Sequence, residues 1–495
     1  MSPVLLSFFV LVYFSLLLGV AWLTGRRANN ASFFIGNKSS NWMLVAFGMV
    51  GTTLSGITFI SVPGAVGRDG FGYLQLVLGY VLGYLVVAAV LLPLYYRLRL
   101  TSIYHYLELR LGRRASQSGA AFFILSRTLG ATARLYLVVN ILQATLLDRL
   151  GLPFWFSSVL VLLMILLYTY QGGVKTIVWT DTLQTACMLL GLGVCVYFLL
   201  DKMDLSPLDS LRAMRAQGLT RIVTHAVDSP AYFWKQVLAG MFITIAMTGL
   251  DQEMMQKTIS VKTLADAQKN LLSLALILVG VLALFLFLGG LLSLYAPLAG
   301  VAAVGDKLFP AVVLGHMPAA VQLVFFVALI SALFPSADGA ITALTSTVCI
   351  DLLGFQRRAD LSEARQRRWR QRVHLGFAAL FLLLLMVFKW IDSPSMIGLI
   401  LKLAGYTYGP LLGLFAFGLL SRRALRQRWV PLAALAGPLL CGLIERYQEQ
   451  LFGNYRLGLE LLIINGLLVL AGLFLISRPG PEPHDARQVN TALSF

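Results

Sequence analysis

Apolar runs of about twenty residues recur along the whole chain, separated by short polar segments. A helix that crosses a bilayer needs about 20 mainly apolar residues, because each adds ~1.5 Å against ~30 Å of hydrocarbon. Thirteen such runs can be drawn, at about 3–23, 42–64, 72–97, 118–147, 155–171, 178–200, 232–250, 270–296, 319–349, 372–390, 394–420, 429–446 and 457–477. The first has no basic residue before it and no small-residue cleavage site, so it reads as a retained span, not a signal peptide. No polar segment is long enough to hold a soluble domain. The longest, 201–231, carries Leu208-Asp-Ser-Leu-Arg-Ala-Met-Arg215, which predicts a short surface helix. The pattern therefore predicts one transmembrane domain over residues 1–478 and a polar, disordered cytoplasmic tail over 479–495.

Composition agrees: 58% of residues are hydrophobic, 12% are charged, and the mean hydropathy is +0.80. The net charge of +17 raises nucleic acid as a partner, but the basic residues fall on alternate loops. With the N-terminus outside, the inner loops hold Arg26, Arg27 and Lys38; Arg97, Arg99, Arg110, Arg113 and Arg114; Lys175; Lys257, Lys262 and Lys269; the arginines of 357–372 and 422–428; and Arg478 and Arg487. That is the positive-inside pattern of a cell-membrane protein with its C-terminus inside, bacterial inner membrane by type. The partners implied are the lipid bilayer and a small solute, with no nucleic acid. Cys187, Cys195, Cys349 and Cys441 lie in or at the ends of spans without metal spacing, and the five histidines form no ligand or nucleophile–base set. No catalytic residue is predicted.

Asp338 stands inside the 319–349 run, beside Pro335, Ser336, Gly339 and Thr342. A charge at the centre of a membrane helix costs about 2.5–3.5 kcal/mol on insertion scales, and such residues usually serve an ion or proton path. The segment therefore predicts a cation-handling site in a transporter. Residues 335, 338, 339 and 342 share one helix face. Two other spans are rich in glycine and hydroxyls: Gly48-Met-Val-Gly51-Thr52-Thr53-Leu54-Ser55-Gly56-Ile57-Thr58, and Gly240 through Gly249-Leu-Asp251-Gln252. They lie five spans apart, as two interrupted helices do in transporters built from inverted repeats. The same small residues also serve plain helix packing.

Four longer motifs carry a family resemblance. They are Leu92-Pro-Leu-Tyr-Tyr-Arg through Thr101, Tyr104, Tyr106 and Arg110; Tyr168-Thr-Tyr-Gln-Gly172-Gly173 through Trp179-Thr180-Asp181 and Gln184; Gly249-Leu-Asp251-Gln252 through Gln256-Lys257; and Gly405-Tyr406-Thr-Tyr408-Gly409-Pro410 through Gly413. In this order they resemble the sodium/solute symporter family. The resemblance implies an all-α membrane protein of the LeuT type, with five-helix repeats over 42–200 and 232–420, one extra N-terminal helix and two extra C-terminal ones. It implies Na⁺ as coupling ion, held by oxygens at Gly51, Leu54, Ala332, Pro335 and Ser336. Pro335 departs from the family's hydroxyl, and by lacking an N–H it frees the Ser331 carbonyl. A second site, for Na⁺ or H⁺, falls on Asp181, Asp338 and Gly339.

For the solute, Arg127 and Arg134 lie seven apart on one helix face, and arginine suits bidentate capture of a carboxylate. Thr53, Ser55, Thr58, Phe71, Gln75 and Arg134 resemble the substrate set of the family's bacterial sialic acid symporters. Gly56 departs from that set by replacing a serine, and Ala246 by replacing an amide. Lys402 is expected either to hold an anionic solute or to neutralise Asp338. Gln75 has packing as its alternative, and Arg127 has pairing with an acid such as Asp181. The reading is Na⁺-coupled uptake, by alternating access, of a small polar solute, with a sugar acid such as sialic acid as the leading substrate. The alternatives are H⁺ coupling, a neutral sugar, an amino acid or a monocarboxylate, and a transporter-like sensor.

Overall fold

The computed structural model describes residues 3–25, 30–355, 362–391 and 396–479. The predicted disordered tail beyond 479, part of the 357–372 arginine run, and Arg26, Arg27 and Arg487 lie outside these residues. The long helices are α1 (Pro3–Gly25), α2 (Trp42–Asp69), α3 (Tyr73–Arg97), α4 (Arg113–Leu142), α5 (Phe154–Thr169), α6 (Gly173–Met203), α7a (Phe233–Gly249) with α7b (Gln252–Ile259), α8 (Leu264–Leu298), α9 (Ala319–Leu352), α10 (Glu363–Ile391), α11 (Met396–Leu420), α12 (Val430–Arg446) and α13 (Leu461–Leu475). Among the described residues nine helices are long and apolar enough to cross a membrane, ten with the bent pair α7a–α7b taken as one span. Helix α4 begins five residues before the apolar run, because its first turn is Arg113-Arg114-Ala-Ser and hydropathy does not register it. The surface helix is present as Pro207–Ala216, capped by Ser206 and anchored by buried Met214, which packs on Gly290 of α8.

Two spans are broken where the glycine clusters predict. In α2 the break is at Ser55, whose φ of 45° and ψ of 169° leave the helical region. A positive φ strains any residue with a Cβ. Contacts on either side hold it: a Cβ on Gly51 would lie 2.5 Å from Thr185 Oγ1, and one on Gly56 would lie 2.4 Å from Val138 Cγ2. The span α7 bends by 64° between Gly249 and Gln252. Asp251 restarts it as an N-cap, accepting from the amides of Glu253 (2.9 Å) and Met254 (3.2 Å). A third break, at Gly173 (φ 59°), separates α5 from α6, where a Cβ would come 2.4 Å from Phe33 Cα.

The packing is reciprocal. Helix α2 packs on α8 while α7a packs on α3, and α9 packs on the α5–α6 stretch while α11 packs on α4. The first helix of each five thus packs on the second helix of the other five, and the third helix of each five packs on the last helices of the other, as a two-fold inverted repeat requires. Outside this core α13 lies on α11 and α12, and α1 on α6 and α9. Pro410 removes the N–H that would bond the Tyr406 carbonyl in α11. Asn465 of α13 supplies the donor instead, 2.8 Å from that oxygen and 3.0 Å from the Gly405 oxygen.

Candidate substrate and cation site

The breaks in α2 and α7 face a central cleft of about 830 Å³ of empty space, its mouth included. Thr52, Thr53, Ser55 and Thr58 line it from α2, Tyr73, Tyr80 and Tyr84 from α3, Arg127 and Arg134 from α4, and Thr244 and Thr248 from α7a. The rest is apolar, with Met247, Met254, Leu278, Leu282, Ile397 and Ile400 among the lining. A wider vestibule, bordered by Gly64, Arg68, Asp306, Lys307 and Lys389, meets the cleft at Ile397, which lines both.

The two arginines have different surroundings. Arg127 is buried, its Nε 2.6 Å from Glu253 Oε2, with a second bond from Nη2 to the same oxygen and Nη1 3.7 Å from Asp251 Oδ2. Its acids are thus the N-cap and first turn of α7b, and Asp181 is not among them. Arg134, one face-repeat along, makes no hydrogen bond or ion pair among the described residues and lines the cleft.

Three residues expected near the solute stand elsewhere. Gln75 is buried and ties α3 to the connection before α7a: its Nε2 donates to the carbonyls of Gly72 (3.2 Å) and Ala231 (3.3 Å), and its Oε1 accepts from the Thr224 amide (3.3 Å). Phe71 packs partly buried against the core and does not line the cleft. Lys402 is half exposed and pairs with Glu445 at 2.5 Å, so its partner here is not Asp338. It lies in an apolar sequence, but its helix face meets α12 rather than the centre.

At the expected sodium position α2 and α9 are in contact. A Cβ on Gly51 would come 3.6 Å from Pro335 Cγ, and one on Gly56 would come 3.8 Å from the Ala332 carbonyl oxygen. Leu54, Ala332 and Ser336 are buried at this junction. Its chemistry fits a hard cation, with backbone oxygens beside the α2 break and the Ser336 hydroxyl. Pro335 contributes hydrocarbon to the contact. The freed carbonyl belongs to Ser331, whose hydroxyl donates to Tyr13 of α1 at 2.6 Å.

The expected second site holds a residue that the sequence reading placed in an inner loop. Lys257 of α7b is 3% exposed; its Nζ lies 2.7 Å from Asp181 Oδ2, 2.8 Å from Thr52 Oγ1 and 3.5 Å from Glu253 Oε1. Asp338 is buried and accepts from the Tyr168 hydroxyl at 2.8 Å. The shared face of α9 meets three different helices. Pro335 meets α2, Asp338 meets α5, and Gly339 meets α7b, where a Cβ would lie 2.3 Å from Glu253 Oε1 and 3.0 Å from Lys257 Nζ. Asp181 and Asp338 are thus not bonded to each other. Helix α7b was missed because hydropathy ends its span at 250. Every residue from Gln252 to Ile259 is in fact buried, and the signal was Met254, Met255 and Ile259 interleaved with the charges.

Known proteins share this architecture. The family model described as the sodium:solute symporter family matches residues 33–429. Sodium-coupled monocarboxylate transporter 1 of mouse (Mus musculus) is 26% identical over 432 residues, 81% of this chain and 66% of its own length. The human (Homo sapiens) sodium/iodide cotransporter is 27% identical over 257 residues, 52% of this chain and 39% of its own. The chain therefore spans just under two thirds of the first relative and about two fifths of the second. The solved structure of a substrate-bound, outward-open Na⁺-coupled sialic acid symporter superposes with a TM-score of 0.82 at 18% identity, covering 96% of this chain and 98% of that one. At that identity the likeness concerns the fold. Matched by the family model over most of its length, this chain belongs to the sodium:solute symporter family.

Proposed function

We propose that the protein is a sodium-coupled symporter of a small organic anion bearing one carboxylate. The observation that carries this reading is Arg134, a guanidinium in the wall of the central cleft with no hydrogen-bond or ion-pair partner among the described residues. A partly buried cation without a counter-ion is costly, and a solute carboxylate bound bidentately offsets that cost. Family membership supports sodium as the driving ion, bound where α2 and α9 meet beside the Ser55 break. The vestibule at Ile397 would be the outer entrance if the N-terminus is outside. Sodium would hold α2 against α9, the solute would dock on Arg134, and closure at Ile397 would precede opening to the inside.

The lining bears on the class of anion. Its hydroxyls suit a hydroxylated solute, yet its amide candidate, Gln75, is committed to the connection before α7a, and much of the wall is apolar. A monocarboxylate with a short apolar body fits this better than a sugar acid does. The mouse relative is named for monocarboxylates and the structural neighbour for sialic acid, so both belong in the test. Purified protein should be stabilised against heat, in Na⁺ only, by a monocarboxylate or sugar acid, and by neither in Arg134→Gln. Stabilisation by neutral sugars or amino acids alone would refute the anion reading.

A further inference from the structure

We propose that the Lys257 ammonium is a built-in cation of the transport site, filling a place that a second mobile ion would otherwise take, so that each solute crosses with a single sodium ion. This rests on the sodium-coupled reading above. The ammonium has an ion's coordination: the Asp181 carboxylate at 2.7 Å, the Thr52 hydroxyl at 2.8 Å and the Glu253 carboxylate at 3.5 Å. These oxygens come from three elements: α6, α2 one turn before its break at Ser55, and α7b. The fourth wall, at Gly339 of α9, is closed by the same side chains, since any Cβ there would be 3.0 Å from Nζ and 2.3 Å from Glu253 Oε1.

Asp181, Asp251, Glu253 and Asp338 are all buried around this junction, and among the described residues Lys257 is the cation that pairs with Asp181. Asp181 Oδ1 is buried with no hydrogen-bond partner among the described residues, so this carboxylate can turn a second oxygen to an ion once the ammonium is removed. If Lys257 were cut back to alanine, the remaining set would be two carboxylates and a hydroxyl around an ammonium-sized gap, which is a hard-cation ligand set. A tethered cation cannot be released to either side. It ties α2, α6 and α7b together in every state and draws nothing from the ion gradient.

The test is the ratio of ²²Na⁺ to solute flux in proteoliposomes, read for wild type, Lys257→Arg and Lys257→Ala. The expected ratio is one for wild type and Lys257→Arg, and two for Lys257→Ala, with the Hill coefficient for Na⁺ rising from about 1 to about 2. A wild-type ratio of two, or an active Lys257→Ala with a ratio of one, overturns the proposal. Where Lys257→Ala does not transport, the wild-type ratio alone decides between these outcomes. Thermal unfolding of the purified proteins in Na⁺ against K⁺ separates this proposal from the function it rests on. Should wild-type uptake ignore Na⁺, the symport reading fails. In that event a larger Na⁺-specific stabilisation in Lys257→Ala than in wild type would still support the built-in cation, and no gain over wild type would overturn it.

Discussion

Replacing either arginine of α4 by methionine removes one positive charge of similar shape, yet the two should have opposite signatures. At Arg127 the change deletes two charge-assisted bonds to Glu253 Oε2 and the 3.7 Å attraction to Asp251. Glu253 then keeps only Lys257 at 3.5 Å, and Asp251 keeps the Tyr408 hydroxyl at 2.6 Å and its helix-capping amides. Arg127 is 4% exposed and Glu253 1%, so water does not replace the lost bonds. Breaking a buried pair by removing one partner costs about 3–5 kcal/mol. Arg134→Met loses no bond, and relieving an unpaired charge should leave stability within about 1 kcal/mol of wild type or raise it. Reversible unfolding in mixed SDS micelles gives the stabilities, and solute titration gives the affinities. The double variant Arg127→Met/Glu253→Met should cost less than the sum of its singles by more than about 1 kcal/mol. Additivity within about 0.5 kcal/mol, or a solute-affinity loss at Arg127→Met without a stability loss, would refute this division of labour.

Gly56→Ala puts a Cβ 2.4 Å from Val138 Cγ2 and should destabilise by about 1–3 kcal/mol, with Val138→Ala restoring most of it in the same unfolding assay. Lys402→Ala breaks a half-exposed pair with Glu445, so stability should change by less than about 1 kcal/mol and the KM for the solute should be unchanged; a tenfold rise in KM would return Lys402 to the binding site. Gln75→Ala removes two bonds to the 224–231 segment and one to Gly72, and should speed proteolysis of residues 224–231 while leaving solute affinity in detergent within about twofold.

The breaks were legible in the sequence because they need particular residues. Gly51 and Gly56 allow the contacts that hold Ser55 out of helical geometry, and Asp251 is a helix cap directly after an apolar run. The hydroxyls of α2 line the cleft beside the break at Ser55, and Arg134 lines it from α4. What failed was the assignment of partners to charges. Lys257 and Glu253 read as loop residues because a 64° bend lets a polar half-helix continue inside the protein, and hydropathy cannot follow a bend. Lys402 was expected to hold an anionic solute or neutralise Asp338, but its position on α11 lets the stem reach Glu445 of α12. Gln75 sits on the right helix, but its amide is used by backbone groups of a loop far away in sequence, which no local pattern reveals.

The central claim is that a sodium gradient drives an anion onto Arg134. Proteoliposomes holding the purified protein, given the carboxylate that stabilises it, should concentrate that solute under an inward Na⁺ gradient. They should fail to do so under an inward H⁺ gradient at equal Na⁺, and Arg134→Gln should abolish the accumulation while reaching the membrane folded. Accumulation under the H⁺ gradient alone, or undiminished Na⁺-driven accumulation by Arg134→Gln, would contradict the account.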